Sequence, residues 1–315
     1  MVELPARPRF SQLPGPLTDA KSKISLRRFA GHVAHEEHLS HVRIAHLTDQ
    51  HFGRVTPHAV QTAAIEMANA EEPDLVVISG DFVCHSQAYL DELEEQLSRF
   101  NAPAIGVLGN HDHWSGAHAV RKALHRAGVE VLDNAHTVIT LRGQSLQVVG
   151  LDDAYTGHAD VERATKGLRQ DLPTIGVSHI AEEADQLWDR GVPLVFSGHT
   201  HAGQVTLARM HEILLGRIIG HKYVHGLYGS RQRTEGPKGA VYVGAGIGAA
   251  VVPLRLGERG KREVAVFELG ASAGAPWEHH REQPPLKGRA PSEKTKERRR
   301  KQLERKKRKH PPVAE

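Results

Sequence analysis

Five short segments of the sequence carry aspartate, asparagine and histidine side chains that could bind metal ions. They are Asp49-Gln50-His51, Gly80-Asp81, Gly109-Asn110-His111-Asp112, His179 and Gly198-His199-Thr200-His201. Each segment alone is more typical of a turn or of a satisfied buried histidine. Together they hold three carboxylates, one asparagine amide and five imidazoles, which an apolar sheet edge could not accumulate without a counter-charge. The combined set therefore indicates bound cations.

The ligand types restrict the metals and suggest the chemistry. Asp, Asn and His without a thiolate suit Mn, Fe, Zn or Co, divalent or trivalent, rather than Ca or Mg. Nine groups exceed the needs of one ion and favour two ions that share a carboxylate and a bridging water. Such a pair lowers the pKa of the water, aligns it with phosphorus and neutralises charge in the transition state. His111 could then protonate a leaving oxygen, with Asp112 orienting its imidazole.

Predicted strands stand directly before these segments. Short apolar runs bounded by Gly, Asp or Pro are typical of buried strands, and they span residues 42–47, 75–78, 104–108, 146–151, 174–177 and 194–196. Two helical stretches, at residues 57–70 and 87–100, separate the first three strands. This order predicts parallel strands covered by helices, and such sheets bind ligands beyond the carboxyl ends of their strands. The five segments should therefore meet at one edge.

Composition and charge separate a globular region from a basic end. The 315 residues include one cysteine, Cys84, which excludes an intramolecular disulfide and a multi-thiolate zinc site. No window of 18 apolar residues predicts a transmembrane segment or a secretory signal, so we expect a cytoplasmic protein, at most peripheral to a membrane. Residues 271–315 hold 14 Lys or Arg against 6 Asp or Glu. We expect a disordered, solubilising tail there, with binding to nucleic acid or to an anionic membrane surface as the alternative.

The order of the segments carries a family resemblance. With D-x-H, G-D, G-N-H-D, a single H and G-H-x-H in sequence, residues 42–269 resemble the calcineurin-like metallophosphoesterase superfamily. The resemblance implies two ligand sets joined by one bridging carboxylate. The first set is Asp49, His51 and His201, the second is Asn110, His179 and His199, and the bridge is Asp81. It also implies that His111 assists the departing group.

A narrower resemblance concerns the substrate. Residues 198–204, 225–228 and 246–257 are similar to a bacterial membrane-associated branch that includes UDP-2,3-diacylglucosamine pyrophosphatase-like members. That likeness implies a UDP-linked lipid precursor as an alternative substrate. Arg231 and Arg233 could clamp a phosphate group by two-point contact, or could instead form a solvated hairpin tip.

The resemblance also implies an α/β fold, a four-layer α/β/β/α sandwich with two packed mixed sheets flanked by helices. The metal centre should lie at their shared edge. We expect the second sheet to include residues 137–141, 146–151, 204–207, 240–244 and 263–269. The predicted organisation is an extended N-terminal leader over residues 1–40, a metallophosphoesterase domain over 41–270 and the basic tail over 271–315.

These observations predict a hydrolase with a binuclear metal centre. It should cleave phosphodiester, phosphomonoester or pyrophosphate bonds by in-line attack of a metal-bridging hydroxide. Two alternatives stay open, a lipid-precursor diphosphatase and a nucleic-acid-processing phosphoesterase recruited by the basic tail. A non-catalytic scaffold without metals is disfavoured, because Asp49, Asp81, Asn110 and His199 all stand intact.

Overall fold

Two six-stranded sheets packed face to face form the centre of the protein. The computed structural model describes residues 15–203, 220–232, 239–249, 255 and 260–286. Helices pack on the outer face of each sheet and enclose two further apolar cores. The four-layer α/β/β/α sandwich is therefore confirmed.

The strands of both sheets run mostly parallel. The first sheet consists, in spatial order, of β1 (Ile24–Ala30), β12 (Arg262–Leu269), β2 (Val42–Leu47), β3 (Leu75–Ile78), β4 (Ala104–Gly106) and β5 (Val129–Val131). The second consists of β10 (Gly226–Gly229), β11 (Ala240–Val243), β9 (Leu194–Ser197), β8 (Thr174–Val177), β7 (Gln144–Gly150) and β6 (Ala135–Leu141). Antiparallel pairs are β12 with β2, β10 with β11 and β6 with β7.

Seven α-helices occur in the described part of the chain. They are α1 (Gly15–Ser22), α2 (Val33–Glu36), α3 (His58–Ala70), α4 (Leu90–Leu97), α5 (Asn110–Arg126), α6 (Val161–Thr165) and α7 (Ala184–Trp188). The two predicted crossover helices are confirmed as α3 and α4, the latter preceded by a 3-10 turn over Gln87–Tyr89. Among the described helices, none has the length and apolar character needed to cross a membrane.

Alternation of side chains along the strands produces the layers. On β3, Val76 and Ile78 pack against the helices, whereas Leu75 and Val77 point into the core between the sheets. All four side chains are fully buried. Because both faces of the sheet are covered, the strand appears in the sequence as an uninterrupted apolar run rather than an alternating one.

The placement of the last strand differs from the prediction. Residues 263–269 were expected in the second sheet, but β12 lies in the first sheet, antiparallel to β2 and parallel to β1. Its apolar side chains are buried on both faces, which suits a central position in either sheet. A strand pattern gives the burial of each face but does not name the neighbouring strands.

The chain on either side of the predicted domain also differs from expectation. Residues 24–30 of the predicted leader form β1, and Phe29 and Ala30 are fully buried. At the other end, the backbone N–H of Gln283 donates to the Leu227 carbonyl oxygen at 2.9 Å. The described fold thus includes residues on both sides of the predicted 41–270 boundaries. The remaining positions of the predicted basic tail, residues 287–315, and the predicted 204–207 strand lie outside the described residues.

A buried carboxylate, Glu263, links the two sheets at one end of the sandwich. It lies on β12 and pairs with Arg27 on β1, with the Tyr242 hydroxyl on β11 and with His225 Nε2 at 3.0 Å. Burial alone would raise the pKa of Glu263, but the charges and hydrogen bonds of His225, Arg27 and Tyr242 hold it well below its usual range. Glu263 is therefore the charged centre of a polar cluster between the sheets.

Replacing Glu263 with glutamine is expected to lower the free energy of unfolding by about 3–5 kcal/mol, because it leaves the buried partners Arg27 and His225 without a counter-charge. The measurement is the melting temperature by differential scanning calorimetry. Glu130→Gln on β5 is the matched control, since Glu130 is exposed on the same sheet. An unchanged melting temperature for Glu263→Gln would show that the cluster contributes no net stability.

Candidate metal centre

The predicted metal ligands lie in loops that follow strands of both sheets. In the first sheet, Asp49 and His51 follow β2, Asp81 follows β3 and Asn110 begins α5 after β4. In the second, His179 follows β8, and His199 and His201 follow β9. Ligand atoms from the two sheets lie within 4.8 Å of one another. The carboxyl ends of the two sheets thus meet at one edge, where the sequence placed the site.

One cluster of ligand atoms consists of Asp49, His51 and His201. The Nε2 atoms of His51 and His201 are 3.0 Å apart, and His201 Nε2 lies 3.3 Å from Asp49 Oδ1. His51 Nε2 lies 3.9 Å from the same oxygen. Two imidazole lone pairs can approach this closely only with a proton or a metal ion between them.

Asp81 joins this cluster to a second one. Its Oδ2 lies 3.5 Å from His51 Nε2 and 3.3 Å from His179 Nε2. The second cluster consists of Asp49, Asp81 and His179. A single oxygen of Asp81 therefore stands between ring nitrogens that approach from different sheets.

The centre strongly favours positive charge. Asp49 is fully buried and Asp81 is 2% exposed, so water cannot screen either carboxylate. Burial alone would lower the pKa of His179, but the charges of Asp81 and Asp49 raise it to about 10. Two buried carboxylates side by side need a cation, and metal ions satisfy that need.

Unpaired polar atoms support the same conclusion. His179 Nδ1 donates to the Ser79 carbonyl oxygen at 2.8 Å, which leaves the lone pair of Nε2 directed at the centre. That Nε2 and the buried Asn110 Oδ1 have no hydrogen-bond partner among the described residues. Buried polar atoms are otherwise paired, so these two are suited to metal coordination. The donor set thus fits metal ions.

His199 lies beside His179 and outside the clusters of close ligand atoms found in the described residues. Its ring centroid is 5.1 Å from that of His179, at an interplanar angle of 79°. Its backbone N–H donates to both carboxylate oxygens of Asp49, at 3.0 and 3.2 Å. The structure therefore places His199 next to the second cluster and uses its main chain to orient a ligand of the first.

Five of the predicted ligands have left-handed backbone conformations. The φ angles are 49° for Asp49, 45° for His51, 55° for Asp81, 73° for His199 and 50° for His201. Non-glycine residues rarely adopt such angles, and each costs of order 1–3 kcal/mol. Strain of this kind concentrates at functional sites, where the surrounding structure holds it.

Two motif glycines allow the loops to approach one another. A Cβ on Gly109 would lie 2.3 Å from Asp81 Oδ1, and a Cβ on Gly198 would lie 2.4 Å from Asp49 Oδ2. Any side chain at these positions would displace a carboxylate. The glycines that precede Asn110 and His199 are therefore required by close packing at the centre.

His111 lies at the centre, but Asp112 does not orient it. The His111 Nδ1–H donates to the Cys84 carbonyl oxygen at 2.7 Å, and Nε2 is 4.0 Å from Asp81 Oδ2. Asp112 instead accepts hydrogen bonds from the backbone N–H groups of Gly109 and Val83, at 2.9 and 3.0 Å. Its place in the first turn of α5 suits this capping role. The predicted partnership of His111 with Asp112 is wrong.

The predicted phosphate clamp is also corrected. Arg231 is fully buried and pairs with Glu278, with Glu282 at 2.6 Å and with the Ala30 carbonyl oxygen at 2.9 Å. All of these partners belong to the protein. The guanidinium therefore connects β1 with the segment that follows β12 and is not available to substrate. Arg233 lies outside the described residues.

Sequence reasoning did not assign roles to two residues that contact the centre. Cys84 forms a further cluster with His51 and His111, but burial and then the charge of Asp81 raise the pKa of its thiol, and a neutral thiol is a poor ligand. Arg255 donates to the carbonyl oxygens of Gly248 and Ala245, each at 2.6 Å, and its Nη2 is 3.3 Å from His201 Nδ1. Cys84 has no recognisable spacing relative to the ligands, so only the fold reveals it. Arg255 lies in the 246–257 segment that carries the narrower resemblance, but its contact with His201 is seen only in the fold.

Comparisons with known proteins agree with this geometry. Residues 42–203 match the family described as calcineurin-like phosphoesterase, and this span contains every predicted ligand. The chain is 31% identical over 231 residues to the uncharacterized metallophosphoesterase YkuE of Bacillus subtilis, covering 71% of this chain and 76% of that protein. It is 28% identical over 233 residues to the phosphodiesterase YaeI of Escherichia coli, and the matched region covers 72% of this chain and 82% of that protein.

A vertebrate relative is longer. The chain is 30% identical over 239 residues to a transmembrane protein with metallophosphoesterase domain from Danio rerio. The matched region covers 71% of this chain but 52% of that protein. The shared part therefore amounts to about half of the relative. From the matched family and the ligand geometry together, the chain belongs to the calcineurin-like phosphoesterase family and is a metal-dependent phosphoester hydrolase.

Proposed function

We propose that this protein is a phosphodiesterase with a binuclear metal centre. Asp49, His51 and His201 would hold one ion, and Asn110, His179 and His199 would hold the other. Asp81 would bridge the two. Manganese, iron, zinc and cobalt are the metals that suit these oxygen and nitrogen donors.

The position of Asp81 Oδ2 carries the proposal. It lies 3.5 Å from His51 Nε2 and 3.3 Å from His179 Nε2, which belong to different predicted ligand sets. A carboxylate oxygen between two sets of imidazoles is the arrangement that a shared ligand requires. A single-ion site would leave one of the two sets without a partner.

Bound metal ions would activate a water molecule and neutralise phosphate charge in the transition state. The chain's own residues supply the rest. The Cys84 carbonyl oxygen fixes the His111 ring, so that Nε2 faces the centre. His111 Nε2 is then the atom that gives a proton to the departing oxygen.

Diester hydrolysis is proposed first because one relative, YaeI, carries the name phosphodiesterase. Phosphomonoesters, pyrophosphates and a UDP-linked lipid precursor are the alternative substrates to a diester, and nucleic acid is an alternative within the diesters. Substrate choice depends on the walls of the site rather than on the shared metal ligands, so it is resolved by comparing substrates.

Removal of the metal is expected to abolish hydrolysis, since the metal ions would supply both the activated water and the positive charge that neutralises the phosphate. The test is to measure bound metal by elemental analysis and turnover of bis(4-nitrophenyl) phosphate, before chelation, after it and after addition of Mn²⁺. Two equivalents of metal, with loss and recovery of turnover, are expected. One equivalent at full activity would contradict the binuclear proposal. 4-Nitrophenyl phosphate, UDP-glucose, a UDP-lipid and an oligonucleotide complete the panel. Faster turnover of any of the first three would replace the diester assignment, whereas faster turnover of the oligonucleotide, which is itself a diester, would identify nucleic acid as the substrate.

A further inference from the structure

Two exposed aromatic side chains, Trp114 and Tyr155, stand beside the metal centre. Trp114 is 55% exposed and Tyr155 is 51% exposed, although large aromatic side chains are usually buried. Their ring centroids are 6.0 Å apart, and the rings are nearly perpendicular, at 79°. We call these two residues the aromatic pair.

The aromatic pair contacts the centre from two sides. The Trp114 ring lies 4.9 Å from the ring of His111, and the Tyr155 ring lies 5.4 Å from the ring of His199. These two histidines are the predicted proton donor and a predicted metal ligand. A phosphate group bound at the metals would therefore direct its organic substituent towards the aromatic pair.

The two rings come from different sheets and are fixed relative to each other. Trp114 lies in the first turns of α5, after β4 of the first sheet, and Tyr155 lies in the loop after β7 of the second. His113 Nε2 bonds Asp152 Oδ1 at 2.7 Å and so joins the two segments next to the pair. The Gln87 side-chain amide also donates to the Ser115 carbonyl oxygen at 2.7 Å. Hydrogen bonds therefore fix the backbone segments that carry the two exposed rings.

We propose that the aromatic pair recognises a planar aromatic group on the phosphate ester, which makes nucleotides the preferred substrate class. This inference rests on the proposed function. Aromatic rings attract planar rings through stacked or edge contacts, and base stacking is tolerant of sequence. An alkyl chain would need a long apolar groove. Apart from the aromatic pair, the large hydrophobic side chains that are exposed among the described residues are Val138 on β6 and Trp277.

The test compares three phosphonates, whose carbon–phosphorus bonds resist hydrolysis, by isothermal titration calorimetry on metal-loaded protein. The adenosine phosphonate carries a base, the matching ribose phosphonate lacks it, and butylphosphonate carries an alkyl chain. We expect the adenosine compound to bind about tenfold more tightly than the ribose compound. Trp114→Ala and Tyr155→Ala should each remove most of this advantage, and Trp114→Phe and Tyr155→Phe should retain it. Trp277→Ala is the matched control, because Trp277 is an exposed tryptophan that lines a pocket with Arg28 and Glu268 rather than the metal centre.

Each outcome is informative. Equal binding of the adenosine and ribose compounds would overturn the inference and leave the phosphoesterase proposal intact. The same applies if butylphosphonate gained as much as the adenosine compound, or if the alanine variants weakened both sugar phosphonates equally. If metal-loaded protein bound none of the three, the proposed phosphoesterase centre would itself be wrong, and the inference would fall with it.

Discussion

Replacing Asp81 with alanine is expected to empty the metal centre and to reduce turnover by about a thousandfold or more, since metal-ion stabilisation of the transition state contributes several kcal/mol. The reason is its central position, with Oδ2 near both His51 and His179. Asp81→Asn is the second variant, because asparagine tolerates the left-handed φ of 55° at this position while removing the charge. Elemental analysis and turnover of bis(4-nitrophenyl) phosphate are the measurements.

Asp133→Asn is the matched control for Asp81, because the Asp133 carboxylate is 43% exposed and pairs with Arg121 rather than with the centre. It should retain its metal content and its activity. Circular dichroism and the melting temperature establish that the Asp81 variants are folded. If Asp81→Asn kept two equivalents of metal and normal turnover, Asp81 would not be the bridging ligand.

His111→Ala is expected to retain the metals and to lower kcat by about 10²–10⁴-fold, the usual contribution of a positioned general acid. Its imidazole contributes no atom to the two clusters that contain Asp49, which explains why metal content should persist. The loss should be greatest for substrates with poor leaving groups, because these depend most on protonation. The measurement is kcat for a series of aryl diesters with leaving-group pKa values spread across the series.

His118→Ala supplies the comparison for His111, since His118 is an exposed histidine on the same helix, α5. It should leave kcat unchanged. A His111→Ala loss that is equal for good and poor leaving groups would assign His111 a role in binding or positioning rather than in proton donation.

The meeting of the ligand loops could be predicted from the strand pattern of the sequence, whereas the four layers of the fold followed from the family resemblance. Parallel strands place their carboxyl ends at one edge, so residues that follow strands converge even when they lie far apart in the chain. Asp49 and His201 are 152 positions apart in the sequence and still approach to 3.3 Å. Strand periodicity and the residues after each strand contain that information.

The contacts of individual polar side chains could not be predicted in the same way. Asp112 follows His111 in the sequence, yet its carboxylate turns back to cap α5, because the unpaired N–H groups at a helix start compete for nearby acceptors. Arg231 has the chemistry of a phosphate clamp, but its buried guanidinium forms ion pairs with Glu278 and Glu282. Nothing in residue type distinguishes a guanidinium paired with glutamates from one that awaits a ligand. The choice of neighbouring strands also depends on long-range packing, which is why the sheet that contains β12 was predicted wrongly.

Because the predicted metal ligands come from both sheets, the supply of metal should affect the lifetime of the protein. Asp49 and Asp81 come from one sheet and His179 and His201 from the other, so ions held by the proposed ligands would connect the two sheets of the sandwich. An ion that binds only the folded state stabilises it by mass action. Without ions, the buried carboxylates repel each other, and the seam is expected to open first. In a cell that lacks these metals, the protein should therefore be degraded faster as well as lose its activity.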